Sequence, residues 1–149
     1  MAKTILIGGH TCFGCAVKCK RNVKFDSPYK VDPKYGGPEY ETIAAFGSNC
    51  GIKDLKAIAK AHEICNAYGM DTISTGIVIS FTMECYEKGV LKDQDTKGVK
   101  LKFGDAASML KVLGKIVECE GIGEILKEGV RGAAEKIGRG SERYAMHVK

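Results

Sequence analysis

The chain has 149 residues and a mass of 16.1 kDa, the size of one ordinary domain and enough to bury a core. Its 44% hydrophobic and 28% charged content excludes a disordered or membrane-spanning protein. The net charge of +5 comes from lysines spread through the sequence. With no basic block interleaved with aromatics, nucleic acid is not an expected partner.

Near the N-terminus, Ile5-Leu6-Ile7 is too short an apolar run for a signal-peptide core, and no later stretch approaches a membrane span. The expected location is cytoplasmic, with no membrane partner and with thiols kept reduced. Seven cysteines, an odd number, then read as metal ligands or small buried hydrophobes ahead of disulfides. Three of them fall in Cys12-Phe13-Gly14-Cys15-Ala16-Val17-Lys18-Cys19. A Cys-x2-Cys-x3-Cys run lets one loop hold three corners of an iron–sulfur cube. Two alternatives stay open on spacing alone: zinc with His10 as the fourth ligand, or a loop without metal. Structural zinc usually takes paired ligands from two knuckles, and no second knuckle is present. Radical-type cluster loops space their cysteines in the reverse order.

Residues 20–52 carry all three prolines (Pro28, Pro33, Pro38) and Gly36-Gly37, which predicts a loop-rich segment. Leu55, Ile58, Ala59, His62 and Cys65 then fall at helical spacing, with Gly69 as the stop. On that stripe His62 reads as a satisfied core histidine. A helix from about Ile73 to Lys88 is apolar nearly all round and belongs in the interior, with Asp71, Thr72 or Ser74 as its cap. Residues 89–104 form a polar connection in which Val99-Leu101-Phe103 suggest a short strand. Asp105 caps a further helix with Ala106, Met109, Leu110, Leu113, Ile116 and Val117 on one stripe. A fourth helix is predicted from Ile122 to Ile137. Cys50, Cys65, Cys85 and Cys119 read as buried packing cysteines. The fold class expected is mainly α, one partial domain over 1–149, with a loop-rich segment at 1–52 and a helical part at 53–149.

Further stretches accompany the cysteine loop: Lys20-Arg21, Gly37-Pro38-Glu39-Tyr40-Glu41-Thr42, and Phe46-Gly47-Ser48-Asn49-Cys50-Gly51-Ile52. Beyond them come Cys65-Asn66, then Gly69-Met70-Asp71-Thr72-Ile73-Ser74-Thr75-Gly76, Met83-Glu84-Cys85-Tyr86-Glu87-Lys88-Gly89, and Tyr144-Ala145-Met146-His147-Val148-Lys149. Together, in this order, they resemble the tungsten-containing aldehyde ferredoxin oxidoreductase family. The resemblance implies the middle, helical domain (domain 2) of a three-domain enzyme. That enzyme would oxidise aldehydes to carboxylic acids at tungsten or molybdenum held by two pterins, with a [4Fe-4S] cluster passing electrons to ferredoxin.

Residue by residue, the resemblance makes Cys12, Cys15 and Cys19 cluster ligands and places Glu41 and His147 near the metal. Those two types suit a base and a hydrogen-bond donor for aldehyde oxidation with water. Asn66, Met70 and Asp71 fall on the pterin-binding loop Asp-x-x-Gly-Leu-Asp, where Asn66 replaces Asp and Met70 replaces Leu. Arg143 and Lys149 match basic residues near the pterin phosphates. Ala16 stands where the family usually has proline. The pterin-seating N-terminal domain and the C-terminal part carrying a fourth cluster cysteine are expected from elsewhere, as further domains or a complementary subunit. A helical domain without them exposes apolar surface, so oligomerisation of the lone chain is expected. A pure electron-transfer module, with Cys50, water or a partner's thiolate as fourth ligand, and a structural zinc domain are the rival functions.

Overall fold

The computed structural model describes residues 4–147; Lys149 lies outside them. The chain opens with a two-stranded antiparallel hairpin, β1 (Leu6–His10) and β2 (Lys20–Val23), whose connecting loop is the three-cysteine segment. His10 pairs with Lys20 at the base of that loop. The 20–52 segment is more ordered than its prolines suggest. It holds a 3-10 turn at Pro33–Tyr35, the short helix α1 (Tyr40–Ile43) and a π turn at Ala44–Ser48. Then come α2 (Leu55–Ala67), α3 (Thr72–Glu87), α4 (Ala106–Glu118), α5 (Ile122–Leu126) and α6 (Gly129–Ile137), and a final 3-10 turn at Ser141–Tyr144.

The three long helices begin where an aspartate caps them. Asp54 accepts from the Lys56 and Ala57 amides, Asp71 from Ser74, and Asp105 from Ala107 and Ser108, at 2.6–3.2 Å. Each cap satisfies amides that have no partner within the helix. Helix α3 is interior as its composition predicts. Val78, Ile79, Phe81, Thr82, Met83 and Cys85 are all buried. Gly76 lets it approach the π turn, because a Cβ there would lie 2.7 Å from the Ala45 Cβ. The main core gathers α3, α4, α5, α6 and one face of α2 around Phe46, Met83, Met109, Leu113 and Leu126.

Three expectations change. Val99–Phe103 is not a strand: among the described residues the only sheet is β1–β2, so this run has no ladder to join. It buries Leu101 as irregular chain instead, anchored by Gly104 N–H donating to Cys50 O at 2.8 Å. The predicted helix over 122–137 is two helices, because Gly129 takes φ +76°, a left-handed value that ends a right-handed helix. Cys119 is exposed at the left-handed C-terminal end of α4, whereas Cys50, Cys65 and Cys85 are buried as expected.

A second, smaller core joins the hairpin to α2 through Ile5, Val23, Phe25, Val31 and Ala59. The polar side of α2 holds the neighbouring backbone. Lys56 Nζ donates to Ser27 O at 2.6 Å and Lys60 Nζ to Lys30 O at 3.0 Å. Asp32 N–H donates to Glu63 Oε1 at 2.7 Å, with Lys60 beside that buried carboxylate. These bonds hold the 3-10 turn at a fixed distance from α2 and create a cleft between them.

Candidate functional site

That cleft is a cavity of about 610 Å³, within the usual size of a small-molecule or cofactor site. One wall is the base of the cysteine hairpin: His10, Lys20 and Arg21. The opposite wall is the end of α2 and the start of α3, with His62, Asn66, Met70, Asp71 and Thr72. The 3-10 turn and the start of α1 close it with Lys34, Tyr35, Gly36, Gly37, Glu39 and Thr42. Thr42 and Thr72 hydrogen-bond through their hydroxyls at 2.8 Å and so fix α1 against the start of α3.

The cavity brings together three of the residues singled out in the sequence: Asn66, Met70 and Asp71. Asp71 is both a lining residue and the N-cap of α3. Gly69 follows α2 and lets the chain turn towards α3, as its place after the helical stripe suggested. His62 is buried, as its place on the apolar stripe of α2 suggested, but it also reaches the cavity. Its Nε2 donates to Tyr35 O at 3.1 Å, and burial holds its pKa below the ordinary value, so the ring is neutral at pH 7.

Lys20 and Arg21 were quoted in the sequence motif without a role. Here they put two cations into the cavity wall directly after Cys19, and a basic pair beside the cysteine run was the signal available in the sequence. Tyr35 and Glu39 gave no such signal, because only folding brings the 3-10 turn and the start of α1 to α2.

Cys12, Cys15 and Cys19 are exposed on the hairpin loop. Cys15 N–H donates to Cys12 O at 3.1 Å, closing a turn between the first two thiols, and Val17 N–H donates to Cys15 Sγ at 3.5 Å. Among the described residues no three Cys, His, Asp or Glu side chains converge at metal-binding distance. Three thiols on one loop, one of them already accepting an amide, nonetheless suit three corners of an iron–sulfur cluster in donor type and spacing. Cys50 is no free fourth donor. It is fully buried, its Sγ donates to Ala45 O at 3.4 Å, and burial pushes its thiol up to about 12.

Glu41 is exposed in the first turn of α1 and His147 is exposed near the chain end. No hydrogen bond or ion pair joins them among the described residues. Arg143 is exposed on the last 3-10 turn, which packs against α3 and α6 away from the cavity lining. The structure therefore separates the expected residues into a cavity group, a loop group and an exposed remainder.

The family profile described as "Aldehyde ferredoxin oxidoreductase, domains 2 & 3" matches residues 1–149. The chain belongs to the aldehyde ferredoxin oxidoreductase family. A tungsten-containing aldehyde ferredoxin oxidoreductase of Pyrococcus abyssi (strain GE5 / Orsay) is 39% identical over 152 residues, covering 100% of this chain and 24% of that protein. The aliphatic sulfonate oxidoreductase, WOR-like subunit, of Pyrococcus furiosus is 39% identical over 142 residues, covering 92% of this chain and 22% of its own length. Among solved structures, the active site complex BamBC of benzoyl coenzyme A reductase with 1,5-dienoyl-CoA superposes with a TM-score of 0.73 at 29% identity. That match covers 96% of this chain and 21% of that one. The chain thus spans about a quarter of the length of the curated family members it matches. The mainly helical fold agrees with the family. No helix among the described residues is long and apolar enough to cross a membrane.

Proposed function

We propose that this chain is the helical domain of a tungsten- or molybdenum-pterin oxidoreductase that oxidises aldehydes to carboxylic acids and delivers electrons to ferredoxin. It acts in the cytoplasm with its remaining domains or a complementary subunit. The observation that carries the reading is one shared wall: the His10–Lys20 pair closes the cysteine loop and also lines the cavity bounded by Asn66, Met70 and Asp71. A cofactor in the cavity and a cluster on the loop would be immediate neighbours.

Cys12, Cys15 and Cys19 would hold three corners of a [4Fe-4S] cluster, with the fourth thiolate from outside this chain. Lys20 and Arg21 offer fixed cations to an anionic pterin, and Asn66 and Asp71 offer hydrogen-bond acceptors to its ring N–H groups. Arg143, away from this cavity, and Lys149 would serve pterin phosphates only outside it. The bound metal would supply two-electron oxidation of the aldehyde, with water providing the added oxygen. Glu41 takes a proton from that water and His147 donates to the carbonyl oxygen; both stand exposed to meet a substrate carried by the missing domains.

Anaerobic purification with metal, sulfide and pterin analysis tests this. Iron and sulfide in the wild-type chain, lost in Cys15→Ser without loss of helicity, are expected. Pterin with tungsten or molybdenum should appear on co-expression with the remaining domains. Iron without pterin under those conditions would leave only an electron carrier, and stoichiometric zinc would overturn the cluster.

A further inference from the structure

The charge of this chain is unevenly placed, and the excess lies at the cysteine loop. Residues 1–25 contain five lysines and arginines and no aspartate or glutamate, whereas residues 26–149 hold eighteen residues of each sign. The net charge of +5 therefore belongs to the segment that forms the hairpin. Lysines are spread along the whole chain; what sets this segment apart is that its carboxylates are missing.

In the fold these charges stay unpaired. Among the described residues no ion pair includes Lys18, Lys20, Arg21 or Lys24, while Lys60, Lys127, Arg131, Lys136 and Arg139 each have a carboxylate partner. Lys20 and Arg21 line the cavity. Lys18 and Lys24 do not, and both are exposed. Lys18 sits beside Cys19 at φ +52°, in the left-handed region where a side chain is strained. Between the thiols, Phe13 and Val17 are exposed, and so is Ile7 on β1. A small apolar tip, unpaired cations and three thiols thus occupy one hairpin.

We propose that this hairpin is the docking face for an electron-carrier protein whose own contact face is acidic, with Phe13 and Val17 as the apolar centre and Lys18 and Lys24 as the cationic rim. The docking face presupposes the proposed cluster at Cys12, Cys15 and Cys19, and it adds where the electron leaves and what charge its acceptor presents. One electron passes to the oxidised carrier at each encounter, and no bond forms or breaks. Redox encounters bury little area, so opposite charge does much of the steering. A hairpin free of carboxylates spares an acidic face the like-charge repulsion it meets on the rest of the chain.

Binding is read first on the 149-residue chain, without turnover. A ferredoxin of net negative charge should bind at low salt and weaken about tenfold or more as the screening length falls from about 30 Å to about 8 Å. Lys18→Glu with Lys24→Glu, at unchanged helicity, should lower the affinity about tenfold and flatten the salt dependence. Phe13→Ser should weaken binding several-fold and leave that dependence in place. Cytochrome c, a basic carrier, should not bind. Equal binding by the charge-reversed chain, or by cytochrome c, overturns the docking face. The enzyme assembled with its remaining domains gives the second reading. The same double variant should lose about tenfold in kcat/KM for ferredoxin, through KM, with reduction of a viologen dye undiminished. A lower yield of assembled enzyme, with carrier kinetics unchanged, would give the face to the remaining domains and overturn the proposal. Failure of the wild-type enzyme to reduce the dye with any aldehyde overturns the proposed function instead, and the binding titration still decides the docking face.

Discussion

Helix α3 and the loop joining β1 to β2 both carry cysteine, in opposite surroundings. Cys85 is fully buried on α3 among Phe81, Met83 and the packed faces of the other helices, and burial pushes its thiol up to about 11. Cys12, Cys15 and Cys19 stand in solvent beside a Phe13 that is fully exposed. A thiol held far above neutral pH in an apolar interior is inert filler, while an exposed one can lose its proton to a metal. The difference separates the part of the chain that makes the fold from the part to which the proposal gives the cluster.

Substitutions can break that contrast. The largest effect is expected from Gly76→Val, because even a Cβ at position 76 would lie 2.7 Å from the Ala45 Cβ. It should cost about 3 kcal/mol, read by chemical denaturation. A smaller effect follows from pH. Burial lowers the His62 pKa, so between the folded and unfolded midpoints the unfolded chain binds more protons. The contribution of this group to stability is complete above about pH 6.5 and is lost as pH falls through the folded midpoint. His62→Phe should remove that slope from denaturation curves taken across pH 5–8. The smallest effect belongs to the loop. Phe13→Ser should change stability by less than about 0.5 kcal/mol, since the ring touches nothing that folding buries. A loss comparable to that of Gly76→Val would mean that the loop packs as part of the core.

Much of the helical frame was legible without coordinates. Asp71 and Asp105, read as caps, each precede a helix, while the Asp54 cap of α2 went unread; the apolar composition of Ile77–Cys85 does describe an interior helix. The elements that went unread depend on partners far along the chain. The hairpin needs Leu6–His10 to find Lys20–Val23, and neither strand is apolar or alternating enough to announce itself. Val99–Phe103 alternates convincingly but has no strand to pair with. At the site, Asn66, Met70 and Asp71 were visible as a short contiguous motif, while Lys20, Tyr35 and Glu39 became neighbours of His62 only through folding.

The sequence by itself determined the capped starts of α3 and α4, the interior character of α3 and the three-thiol spacing, because each is written within a few consecutive residues. Tertiary structure alone decided that the base of the cysteine loop, a 3-10 turn and the junction of α2 with α3 share one cavity. The physical reason is range. Caps and helical periods act over one turn of chain, whereas a cavity wall is set by how Glu63, Lys60 and Lys56 hold a distant backbone in place.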